Sequence, residues 1–140
     1  MASPQGLSGT IPGVVVCHPH PLFGGDMDNS LVVSVCRALV EEGFVTLRFN
    51  FRGVGNSGGH STKGDMERED VRVALEFLRQ WPGVNKGRLG MAGYSFGAST
   101  VISGISDYRA SRAFVLISPP LSALQNSGVA RDKRPKLLLV

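Results

Sequence analysis

Cysteine is scarce in this 140-residue chain, which has only Cys17 and Cys36. The first falls in an apolar strand pattern and the second on a helical apolar face. The pair therefore reads as buried free thiols of a reducing compartment, not as a disulfide framework or a metal pair. Long apolar runs are missing: none reaches the roughly 18 residues that would span a bilayer, so no membrane partner is expected. Residues 1–13, MASPQGLSGTIPG, have neither a basic region nor an apolar stretch, so no signal peptide is read there and the expected location is cytoplasmic. Charge of one sign is not in excess up to residue 106. The net +4 arises from Arg109, Arg112, Arg131, Lys133, Arg134 and Lys136 against Asp107 and Asp132. Neither a set of stacking aromatics nor a groove-reading helix accompanies these cations. They read as a solvated basic edge, and no nucleic-acid partner is expected.

What is present is ordinary for a globular domain. An apolar fraction of 42% with 19% charged residues excludes disorder, and the length suits a single domain, residues 1–140, with a real core. There are no repeats or linker-like tracts. Strand and helix patterns alternate along the chain. GVVVCH (Gly13–His18) is a β-branched run of the kind buried on both faces. Asn29 is a plausible N-cap for a helix whose apolar residues Val32, Val35, Cys36 and Leu39 recur at helical spacing, with Gly43 as its stop. Phe44–Phe51 is a second strand, and a helix begins near Asp65 with Glu67, Glu69 and Asp70 in its first turn. RLGMAGY, then AFVLISP (Ala113–Pro119) and KLLLV (Lys136–Val140) complete five strands. The pattern predicts an α/β fold: a doubly wound, mainly parallel five-stranded sheet with helices on both faces. Ligands of such sheets bind beyond the carboxyl ends of the strands, so the loops after Cys17, Phe51, Tyr94 and Ser118 share the rim of interest.

Three motifs reach that rim. Gly93-Tyr94-Ser95-Phe96-Gly97 is a G-x-S-x-G pattern at a strand-to-helix junction. That context holds a serine strained and exposed as a nucleophile, with small residues two before and two after it; the alternative role is a simple helix N-cap. CHPHPLFGGDMDN (Cys17–Asn29) leaves the first strand. An oxyanion site needs backbone N–H donors from Phe96 and from this loop, where Pro19 and Pro21 have none. His20, Leu22 and Phe23 remain, and His20 is favoured by its position. His18-Pro19-His20 lacks the spacing of zinc motifs, so no metal is expected. Gly53-x-Gly55-x-x-Gly58 formally matches a dinucleotide fingerprint. Its helix, however, starts several residues too late to receive a phosphate, so a structural loop is expected and no cofactor.

Together, HPHPLFGGDMDN, NFRGVGNSGG and GYSFGAS resemble the α/β-hydrolase superfamily, in particular its small hydrolases related to dienelactone hydrolases and serine aminopeptidases. The resemblance runs from about Gly13 to Val140. It implies a partial α/β-hydrolase fold with strand order 2-1-3-4-5 in this chain's numbering. Ser95 corresponds to the nucleophile, and Phe96 with the His20 region to the oxyanion hole. It also implies a small-molecule ester, thioester or amide substrate. In that family the acid and then the histidine follow the serine, whereas here only Asp107 and Asp132 follow Ser95 and no histidine does. The expectation is a fragment incomplete at both ends and impaired as it stands. The alternative is that His18 or His20 has been recruited as base. Two other functions remain open: a non-catalytic α/β binding module, and a flavodoxin-like phosphate or nucleotide binder.

Overall fold

The computed structural model describes residues 2, 10–125 and 127–140. The reading of residues 1–13 as lacking a leader falls largely outside these. Five strands, β1 (Ile11–Cys17), β2 (Val45–Arg48), β3 (Val84–Tyr94), β4 (Ser111–Ile117) and β5 (Lys136–Leu139), form one sheet in the order β2-β1-β3-β4-β5. Every neighbouring pair is parallel. Four helices connect them: α1 (Ser30–Glu41), α2 (Glu67–Gln80), α3 (Phe96–Ser103) and the short α4 (Leu121–Leu124). The expected fold class and strand order are those observed.

The pleat divides the strands between two layers. Leu47, Val15, Met91 and Phe114 are register partners across four strands and share one face. Against it pack Val71, Ala74, Leu75 and Leu78 of α2 and Ala98, Val101 and Ile102 of α3. Each buried Val, Leu or Ile among them contributes about 1.5–3 kcal/mol. Val14, Val16 and Ala92 point the other way, onto Val32 and Cys36 of α1. Asn29 caps α1 by accepting from Leu31 and Val32 N–H, and Gly43 turns left-handed just beyond it. Cys17 and Cys36 are both buried and free. Beyond α1 that face is open. A concavity of about 590 Å³ runs over β3 and β4, with Ala92, Ala113 and Val115 in its lining.

Several boundaries differ from the sequence reading. β2 ends at Arg48, not Phe51. Past it the backbone leaves the ladder for side chains: Phe51 N–H donates to His18, and Asn50 carbonyl accepts from the Ser57 hydroxyl. β4 ends at Ile117 because Ser118 turns to φ 46° ahead of two prolines. α2 begins at Glu67, two residues later than expected. β3 starts four residues early, since Val84 pairs with Ile11 before the register shifts.

The solvated basic edge also needs correction. Arg134 donates to the carbonyls of Ile105, Tyr108 and Ser111, pairs with Asp132 at 2.6 Å and stacks on Phe114. Lys136 reaches the Asp132 carboxylate and the Arg134 carbonyl. Both cations are largely buried; Arg134 pins the segment before β5 to the turn after α3, and Lys136 closes that segment on itself. Of the six, Arg109, Arg112, Arg131 and Lys133 are the ones at the surface.

Candidate active site

Ser95 occupies the single residue between β3 and α3. Its backbone lies at φ 55°, ψ −109°, a conformation that residues with a Cβ rarely adopt. Two close approaches impose it. A Cβ on Gly93 would lie 2.6 Å from the backbone of Gly97 and Ala98, and one on Gly97 would lie 2.3 Å from the Cys17 carbonyl oxygen. Only glycine fits either place, so the turn is tight enough to reverse the chain within one residue. Ser95 N–H is spent on the Ile117 carbonyl at 2.9 Å. Its hydroxyl has no hydrogen-bond partner among the described residues, and Ser95 is half-buried at the carboxyl rim of the sheet. Ser95 makes no side-chain cap, which removes the N-cap role as the reason for a serine here.

Phe96 is the first residue of α3, and a first-turn N–H has no acceptor inside its helix. Its ring lies 4.8 Å from that of His20 and 5.5 Å from that of Phe51, centroid to centroid. The structure therefore brings Phe96 and His20 together beside Ser95. Of the three donors left open after β1, two are occupied. Leu22 N–H goes to His20 Nδ1 at 3.1 Å and Phe23 N–H to the His20 carbonyl at 3.1 Å, both within a 3₁₀ turn over Pro21–Phe23. His20 N–H has no acceptor among the described residues.

The histidines are constrained as bases. His18 is fully buried. Pro19 offers only a carbonyl, so Nδ1 must carry the proton it donates at 2.7 Å. Phe51 offers only an N–H, so Nε2 must accept, at 3.0 Å. Burial pulls the His18 pKa below its ordinary value, against weaker upward pulls from the Pro19 bond and Asp26. In the same way, acceptance by His20 Nδ1 places the proton of its neutral ring on Nε2. Neither ring presents a free lone pair toward Ser95.

The acids after Ser95 lie at the opposite rim. Asp107 follows α3 and Asp132 precedes β5, both at the amino ends of the strands. Hydrogen bonds from Arg134 hold the Asp132 carboxyl far below the usual carboxylate range.

The glycine-rich loop closes on itself. Gly53 N–H goes to the Gly58 carbonyl, Val54 N–H to Phe51 and Ser57 N–H to Val54. Those three amides are spent within the loop. Arg52 clasps Asp70 of α2 through Nε and Nη2. Glu67, fully buried, accepts from Ser61 Oγ and from Thr62 N–H and Oγ1. Sequence reading assigned both acids only to the helix dipole, because neither partner lies at a recognisable spacing. Among the described residues no group of three or more His, Cys, Asp or Glu is arranged to hold a metal ion.

The serine aminopeptidase (S33) family model matches residues 15–137. The fold superposes on an α/β serine hydrolase homologue from Coxiella burnetii with TM-score 0.81 and 33% identity, covering 98% of this chain and 64% of that one. A lidless α/β serine hydrolase from Xanthomonas campestris gives TM-score 0.78 at 27% identity, covering 98% and 74%. An uncharacterized protein of Rickettsia prowazekii is 37% identical over 120 residues, which is 86% of this chain and 50% of that protein. The chain thus spans about half the length of that curated relative.

Proposed function

The chain belongs to the serine aminopeptidase (S33) family of α/β hydrolases, and from that premise we propose that it carries the nucleophile half of a serine hydrolase site. Ser95 Oγ attacks the carbonyl carbon of an ester, thioester or amide. The carbonyl π electrons move onto oxygen, where the N–H groups of Phe96 and His20 receive the developing charge. Collapse expels the leaving group with a proton and leaves an acyl-Ser95 that water then hydrolyses. Neither His18 nor His20 suits the role of base, and Asp107 and Asp132 lie at the far rim. The base and acid are therefore assigned to parts of the protein outside residues 1–140, which accords with the partial coverage of its relatives.

The observation that carries this reading is the strained Ser95 backbone, locked by Gly93 and Gly97 near a His20 N–H that has no acceptor among the described residues. The test is labelling with a fluorophosphonate. The protein extended to the length of its relatives is expected to take up one equivalent, and Ser95→Ala to take up none. Failure of a folded, extended protein to label would sink the proposal.

A further inference from the structure

A polar cleft of about 750 Å³ opens directly from the His20–Phe96 pair. Ser99 and Ser103 of α3 line one side, and Ser122 and Gln125 line another. Its lip is the segment before α2, which contributes Lys63 and Asp65, together with Arg68 in the first turn of α2. Lys63 and Arg68 are exposed and have no ion-pair partner among the described residues, whereas Arg52, Arg72 and Arg79 are all paired. Asp65 is the one acid in the lining, so the cleft is net positive. On its outer flank Arg68 also borders Glu69 and Asp107, which makes Lys63 the cation committed to the cleft.

Lys63 is held there under strain. Among the described residues it is one of three non-glycine positions at positive φ, at 58°, and Gly64 follows at 106°. A Cβ built on Gly64 would sit 3.8 Å from the Phe96 ring, so this turn packs against the residue that begins α3. The buried Glu67 fixes the turn by gathering Ser61 and Thr62, while the Thr62 hydroxyl accepts from Met66 N–H at 2.9 Å. A left-handed lysine opposes stability, and Lys63→Gly would remove that cost. The turn places a cation at the lip of the cleft, next to Phe96, the residue after Ser95.

We infer that this cleft receives the substrate and selects esters or amides that carry a carboxylate, with Lys63 as its anchor and Arg68 as a second cation. The substrate part of this rests on Ser95 being the nucleophile, whereas carboxylate binding does not. The test is a titration of the 140-residue chain, followed by NMR, with monomethyl glutarate and its neutral counterpart dimethyl glutarate. At low ionic strength the half-ester is expected to bind about ten-fold more tightly, with the preference shrinking in high salt. In Lys63→Gly with Arg68→Gln the preference is expected to vanish. Lys63→Gly alone is expected to weaken it while raising Tm, which separates a lost contact from a damaged fold. Equal affinities, no measurable binding of either compound, or a preference that survives the double substitution would overturn the inference. Labelling of Ser95 without a carboxylate preference would leave the hydrolase reading standing and remove this one. A preference retained without labelling would keep the anion site and remove its substrate role.

Discussion

Replacing Ser95 by glycine should stabilise the protein while removing its proposed nucleophile. A residue with a Cβ held at φ 55°, ψ −109° bears a cost on the order of 1–3 kcal/mol. Glycine adopts that conformation freely but loses about 0.5–1 kcal/mol more chain entropy on folding. The side chain contributes little in return, since the Ser95 hydroxyl has no partner among the described residues. The net gain is about 1 kcal/mol. For 140 residues, an unfolding entropy of about 2.1 cal/mol/K per residue converts that into a Tm increase of about 3 °C. Ser95→Ala keeps the Cβ and the strain, so its Tm should stay within about 1 °C of the parent. Differential scanning calorimetry of the three proteins, each also tested for fluorophosphonate labelling, gives the comparison. A glycine variant that melts at or below the alanine variant would show that the turn stores no strain, and the case for Ser95 as a specialised position would fall with it.

Gly97→Ala places a Cβ 2.3 Å from the Cys17 carbonyl oxygen, between two backbones that cannot yield, and should cost about 3 kcal/mol or prevent folding. Gly58→Ala, with nothing within 4 Å, serves as the control and should change stability by less than about 0.5 kcal/mol in urea melts. Burial lowers the His18 pKa in the folded chain, so below the ordinary value of 6.5 the unfolded chain takes the proton first. Its contribution is thus complete above pH 6.5 and is lost as pH falls toward the folded value; urea midpoints should drop between about pH 7 and pH 5, and a flat profile would refute the buried neutral ring. Arg134→Ala strips partners from three carbonyls and Asp132 and should cost about 2 kcal/mol, with Arg134→Lys recovering less than half because one ammonium cannot span the same groups.

What the sequence disclosed follows from which constraints are selective for residue type. The junction at Ser95 was legible because its two close approaches admit only glycine, and both glycines stand within two residues of the serine. The alternation of strand and helix was legible because β-branched runs and helical repeats recur at local spacing, whereas the strand order followed only from the resemblance carried by HPHPLFGGDMDN, NFRGVGNSGG and GYSFGAS. The partners of His18, Arg134 and Glu67 were not. His18 meets Phe51 through a backbone N–H, and Arg134 meets Ile105, Tyr108 and Ser111 through carbonyls, groups that nearly every residue supplies whatever its side chain. The same asymmetry explains the early end of β2, where Phe44–Phe51 reads as one continuous strand. Its last residues look like strand by side chain, yet their backbone bonds go to His18 and Ser57, and nothing in residues 44–51 announces that. It also explains the choice among His20, Leu22 and Phe23, which differ in side chain but compete through identical amides. Only the geometry of the 3₁₀ turn shows that two of those amides are spent and one is left. Steric exclusion therefore leaves a signature in composition, whereas backbone hydrogen bonding across long sequence separations leaves none, and it is the second that decides which amides at this rim stay unpaired among the described residues.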